Sequence, residues 1–163
     1  MIVYHGSIEI IKNPDVMHSK KYLDFGQGFY LTTFENQAKK WAARKGMRQK
    51  KAPIVNVYEM SEEWQNLKVL SFEKENEEWL DFVCACRKGE PLNKEYDIII
   101  GNVADDDVFK TVDMYFRGLW DKKKVLSELR YYKMNNQICI VNQETLNRLL
   151  TYQNSYEVKC DGR

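Results

Sequence analysis

Two short segments near the N-terminus carry residue types able to hold a flat, polar ligand. In Tyr4-His5-Gly6-Ser7 a histidine is followed at once by glycine. In Asp24-Phe25-Gly26-Gln27-Gly28-Phe29-Tyr30-Leu31-Thr32-Thr33 a tyrosine is entered through a Gly-x-Gly turn. Glycine lets backbone approach a planar group closely, imidazole supplies a hydrogen bond and phenol a π-face. A third place is Asp105-Asp106, after Gly101-Asn102. It reads as acidic capping of a helix start, with the alternative that one carboxylate faces a cleft and positions a target nucleophile. The four cysteines, Cys84, Cys86, Cys139 and Cys160, lack the His/Cys spacing of a zinc site. They read as reduced thiols, so neither a metal nor a disulfide framework is expected.

These side chains need strands and helices to place them. The opening Ile2-Val3-Tyr4-His5 reads as a short strand ended by Gly6-Ser7, and residues 28–33 as a second, rich in β-branched and aromatic residues. From residue 35 to 47, Ala38, Trp41, Ala42 and Met47 recur at helical spacing, with Thr33 or Asn36 as cap, and this helix is expected to pack behind the tyrosine strand. Strands are expected over 54–60, 67–72, 96–100 and 137–141, and helices over 75–87, from Asp105 to Gly118, over 122–131 and over 143–150. An edge strand is expected over 156–159. Strands and helices intersperse without regular βαβ alternation, which predicts an α+β fold in one domain spanning 1–163.

The two N-terminal motifs resemble those of ADP-ribosyltransferases of the diphtheria-toxin and poly(ADP-ribose) polymerase type, where a His-Gly-Ser/Thr strand and a Phe-Gly-x-Gly-x-Tyr strand hold NAD. The resemblance implies a split β-sheet with flanking helices. It also implies that His5 bonds the adenosine ribose, that Gly6 pairs its backbone with the nicotinamide amide beside Ser7, and that Tyr30, reached through Gly28, stacks on nicotinamide. Trp41 falls where the family closes the other nicotinamide face, with core packing as its alternative, and Ala38 falls where the polymerases carry a serine. The family's glutamate at the start of a late strand is replaced by Gln137 in Asn136-Gln137-Ile138-Cys139-Ile140. Glutamine keeps a hydrogen bond and loses the charge that stabilises an oxocarbenium-like transition state.

With Tyr96-Asp97-Ile98-Ile99-Ile100-Gly101-Asn102 added, the combined signature is similar to a bacterial family catalogued as domain of unknown function 3990, over about residues 4–150. This implies a mono-ADP-ribosyltransferase that consumes NAD as substrate, without a metal, and modifies a macromolecule, protein or nucleic acid. It also implies a role as toxin or effector of a bacterial toxin–antitoxin module, with a cognate antitoxin as partner. The alternatives are a non-catalytic NAD- or partner-binding module on the same fold, and an NAD glycohydrolase.

Charge is nearly balanced, 25 basic against 24 acidic residues, so whole-molecule electrostatics give no argument for nucleic acid. Basic clusters at Arg44-Lys45, Arg48 and Lys50-Lys51, and at Lys122-Lys123-Lys124, read as solvated helix ends, with an anionic target or NAD phosphates as the alternative. No stretch approaches the length needed to span a bilayer, and a soluble cytoplasmic protein is expected.

Overall fold

The structure is a computed structural model that describes residues 1–102, 106–129 and 135–159. In chain order the elements are β1 (Ile2–Ser7), β2 (Phe29–Leu31), α1 (Glu35–Gln49), β3 (Ile54–Met60), β4 (Val69–Ser71) and α2 (Glu77–Arg87). They continue with β5 (Ile98–Gly101), α3 (Asp106–Phe116), α4 (Lys122–Leu129), β6 (Gln137–Ile140), α5 (Gln143–Leu149) and β7 (Leu150–Glu157). Short 3-10 turns at Val16–His18 and Pro91–Glu95 interrupt the long connections. The fold is α+β, as the interspersed pattern predicts.

The strands form two sheets. The first has the order β1-β3-β7 and is antiparallel throughout; the second has the order β2-β6-β5-β4, parallel only between β4 and β5. One apolar cluster is common to both. Val3, Tyr58 and Met60 come from the first sheet, Phe29, Leu31, Ile98, Ile138 and Ile140 from the second, and Leu146 and Leu149 from α5. On the other face of the second sheet, Ile99 and Cys139 pack with Trp79, Leu80 and Val83 of α2, Val112 of α3 and Val125 of α4. Alternate residues of β5 and β6 thus serve two cores, which explains why these strands read as continuous apolar runs.

The expected positions hold with informative differences. Helix α1 packs on β1 and β3, not behind the tyrosine strand: Ala38 and Ala42 join Val55 and Val57 of β3 in a cluster of small residues. Its N-cap is Phe34, and neither Thr33 nor Asn36 caps it. The Phe34 N–H is bonded instead by Thr32 Oγ1 at 3.1 Å. The last strand, expected over 156–159, runs instead from Leu150, directly out of α5, to Glu157, because its outward residues are polar and hide the alternation. The expected extension of α4 to residue 131 lies outside the described residues. No helix among the described residues is long and apolar enough to cross a membrane.

Candidate functional site

Among the described residues the two sheets touch at one backbone bridge. Tyr4 N–H donates to Thr32 O at 2.8 Å and Thr32 N–H to Tyr4 O at 3.0 Å. In antiparallel pairing, successive residues turn their N–H and C=O alternately toward and away from a given neighbour. Gly6, two residues after Tyr4, therefore turns its backbone away from β3 and toward β2. Continued pairing would set Gly6 against Tyr30, but the strands part. The Tyr30 carbonyl accepts from His5 Nδ1 at 2.6 Å, and the Gly6 carbonyl accepts from Lys45 Nζ of α1 at 2.9 Å. Two side chains thus take the place of ladder bonds where β1 and β2 part.

His5 is half-buried, with its ring stacked on Phe29 at 4.4 Å between centroids. Burial above all, then the Lys45 ammonium and His18, push its pKa down to about 3 against the opposing pull of the Tyr30 carbonyl. Since a carbonyl only accepts, Nδ1 carries the proton of the neutral ring and Nε2 is left as an acceptor. That suits a ligand hydroxyl.

Tyr30 uses its own hydroxyl within the Gly-x-Gly loop. It donates to Gly26 O at 2.5 Å and accepts from Phe25 N–H at 3.0 Å. Burial, Cys139 and the Asp24 carboxylate raise its pKa, so it stays a phenol. The motif glycines meet protein at close quarters. A Cβ on Gly6 would lie 2.2 Å from Ala38 O and 2.9 Å from Trp41 Cβ, and one on Gly28 would lie 2.5 Å from Cys139 Sγ. Gly26 adopts φ +74°, a left-handed conformation that glycine takes without strain. Close approach is therefore required at both Gly6 and Gly28 by helix and strand packing alone. Thr32 and Thr33 are fixed by Asn136, whose Oδ1 accepts from Thr32 Oγ1 at 2.9 Å and from Thr33 N–H at 3.0 Å.

Gln137 begins β6 and is only 4% exposed. Its Nε2 donates to Asp24 Oδ2 at 3.2 Å and to Asn102 O at 3.4 Å. Asp24 Oδ1 in turn receives Arg87 Nε at 3.0 Å and Nη2 at 2.5 Å, a forked ion pair whose side chains are both 12% exposed. Asp24 and Arg87 are the site residues that sequence reasoning missed. Asp24 stands directly before Phe25-Gly26, but nothing in the chain pairs it with an arginine 63 positions on.

His5 and Tyr30 are brought together, as are Gly6, Trp41 and Lys45; Gln137 belongs to a different group. It shares the face of β6 that carries Cys139, the cross-strand partner of Tyr30, whereas His5 stacks on Phe29, whose side chain enters the core common to both sheets. Tyr30 links the groups, by its carbonyl to His5 and by its hydroxyl to the loop that holds Asp24. Trp41 is half-buried on the same face of α1 as Ala38 and Lys45, and Ser7 is buried beside Ile54. Asp105 lies outside the described residues; Asp106 is the first residue of α3, and its side chain lies outside them too. Cys84, Cys86 and Cys139 are unbridged and buried, and burial pushes the thiols of Cys86 and Cys139 up to about 12, so they are inert at neutral pH. Among the described residues no three His, Cys, Asp or Glu side chains gather as a metal site. A concavity of about 540 Å³ lies elsewhere, between Pro14 and Asn147.

Compared with known families, the chain matches the one described as protein of unknown function (DUF3990) over residues 1–152. The protein belongs to this family. The match takes in β1 through α5 and the start of β7, hence the whole second sheet and every residue of the two groups. Among curated proteins, none matches the chain.

Proposed function

We propose that this DUF3990 protein is an NAD-dependent mono-ADP-ribosyltransferase built on a split sheet, with a macromolecule as acceptor. The observation that carries this reading is the parting of β1 from β2 at Gly6, with the Gly6 backbone turned into the split and a neutral His5 at its mouth. A strand edge opened in this way offers an amide N–H and, once Lys45 moves aside, a carbonyl. Together these match the donor and acceptor of a carboxamide such as that of nicotinamide. Trp41 and Tyr30 flank it, and His5 Nε2 accepts from a ribose hydroxyl. In the reaction the bond between ribose C1′ and the nicotinamide nitrogen breaks, and its electron pair leaves with neutral nicotinamide. The acceptor's nucleophilic atom then bonds C1′ and gives up its proton. Asp24, held by Arg87 beside Gln137, is a carboxylate next to the position where the related transferases carry theirs. A role as toxin in a toxin–antitoxin pair, with an antitoxin as partner, belongs to this reading.

A second reading, a non-catalytic NAD-binding module, is favoured by one observation: Gln137 is buried and its amide is held by Asp24 and Asn102. Incubation with labelled NAD and bacterial extract, followed by protease or nuclease digestion, separates the two. Labelled macromolecule supports the transferase; nicotinamide release without label indicates NAD hydrolysis; neither supports the binding module. A kinetic test uses the carboxylate. Gln137→Glu alone would set two mutually repelling carboxylates side by side. The double variant Asp24→Asn/Gln137→Glu exchanges amide and carboxylate, and it should release nicotinamide faster, on the scale of about a hundredfold for such an electrostatic contact. An unchanged rate would remove Gln137 from the chemistry.

A further inference from the structure

Lys45 is a half-buried ammonium whose hydrogen-bond partner is the neutral carbonyl of Gly6, 2.9 Å away. Among the described residues no carboxylate pairs with it. The charges that act on it are of its own sign. Arg48, one turn on along α1, and Lys20, from the connection before β2, are both exposed cations and, after burial, lower its pKa; Lys45 and His18 together act on His5 in the same direction. A positive charge withdrawn from water into a place where its neighbours are also positive is costly by itself, and an anion repays that cost. Charge-assisted bonds to phosphoryl oxygens are roughly twice as strong as those to a neutral acceptor.

We propose that Lys45, with Lys20 and Arg48 on its rim, is a phosphate-binding site at the split between β1 and β2, taking the diphosphate of a dinucleotide. The assignment of the dinucleotide rests on the NAD reading of the same cleft; the anion site does not. Lys45 has four methylenes of reach, enough to exchange the Gly6 carbonyl for a phosphoryl oxygen without moving α1. That exchange frees the Gly6 carbonyl, so binding of the phosphate and of a carboxamide at Gly6 are coupled. Glu35, the one carboxylate of α1, and Asp15 and Asp24, which bracket Lys20 on the connection, are engaged elsewhere, with Lys39 and Tyr156, with the Met17 N–H, and with Arg87 and Gln137.

Calorimetric titration with inorganic diphosphate, ADP-ribose and NAD tests this on the wild type, Lys45→Met, Lys45→Arg and Lys20→Ala/Arg48→Ala. The expected result is that diphosphate and ADP-ribose bind the wild type and weaken at least tenfold in Lys45→Met. Affinity is retained within a few-fold in Lys45→Arg, and loss is smaller in the rim variant, whose exposed positions keep it folded. Wild-type affinity should fall with added salt, and less steeply in Lys45→Met. Equal diphosphate affinity in wild type and Lys45→Met, or none in the wild type, overturns the site. Diphosphate binding that depends on Lys45, without NAD binding, keeps the site and overturns the NAD reading. NAD binding that is indifferent to Lys45 does the reverse.

Discussion

At the scale of single residues, His5 shows how a side chain that looks like a catalytic base can be held out of acid–base work. Its proton is committed to the Tyr30 carbonyl and its ring is stacked on Phe29. Imidazole in an unfolded chain takes up its second proton near pH 6.5, whereas His5 in the fold resists it down to about 3. Between those values the unfolded state binds the extra proton, so His5 erodes stability as pH falls from about 6.5 toward 3 and has no such effect above 6.5. Wild type should therefore lose ground to His5→Asn between pH 7 and pH 4.5, by on the order of 1 to 2 kcal/mol. Urea midpoints at the two pH values check this, and an unchanged difference would mean that the ring protonates freely. Arg87 makes a second residue-scale case. Arg87→Leu takes the counter-charge from the Asp24 carboxylate in a nearly buried place and leaves it the Gln137 amide, and truncating one partner of such a pair costs roughly 3 kcal/mol. A thermal melt reads that loss, and Asp24→Asn/Arg87→Leu should recover a large part of it.

At the scale of elements, the decisive contact is α1 against β1. The helix has a narrow apolar face of Ala38, Trp41 and Ala42, and it can seat itself only because β1 offers a glycine beneath it. In Gly6→Ala the new Cβ would lie 2.2 Å from Ala38 O and 2.8 Å from Ala42 N, both backbone atoms that cannot yield without moving the helix. The expected loss is at the upper end of overpacking, about 3 kcal/mol. Gly118→Ala is the contrast: it also strains its backbone, at φ +74°, but meets nothing within 4 Å, so about 1 kcal/mol is expected. Comparison of the two by urea unfolding separates steric exclusion from backbone strain. Because α1 carries Trp41 and Lys45, any shift at Gly6 also moves both groups proposed to hold ligand.

At the scale of the whole molecule, the two sheets share one core through Val3, Tyr58 and Met60 on one side and Phe29, Leu31 and Ile140 on the other. Neither sheet can keep its inner face covered alone, so far-UV circular dichroism and tryptophan fluorescence should report one coincident urea transition. Two separated midpoints would show that the sheets unfold independently. The sequence by itself determined the α+β class and most elements, because period-2 and period-3.6 apolar spacing and helix punctuation are local properties of the chain. Asn76 and Asn142 cap α2 and α5 through bonds to N–H groups three residues on, a signal contained in the local chain. It also determined the neighbourhood of His5 and Tyr30, since both lie in short motifs whose glycines and β-formers constrain the backbone locally. Only the tertiary structure decided that α1 covers β1 rather than β2, and that Gln137 meets Asn102 and the Asp24 carboxylate that Arg87 holds, rather than His5. It likewise revealed that Lys45 reaches the Gly6 carbonyl. Those facts depend on which strand edges meet and which face each side chain takes, and on polar and charged groups brought together from positions 24, 87 and 137 or 6, 20 and 45. No local pattern of residues encodes such meetings, because they follow from the packing free energy of the whole core.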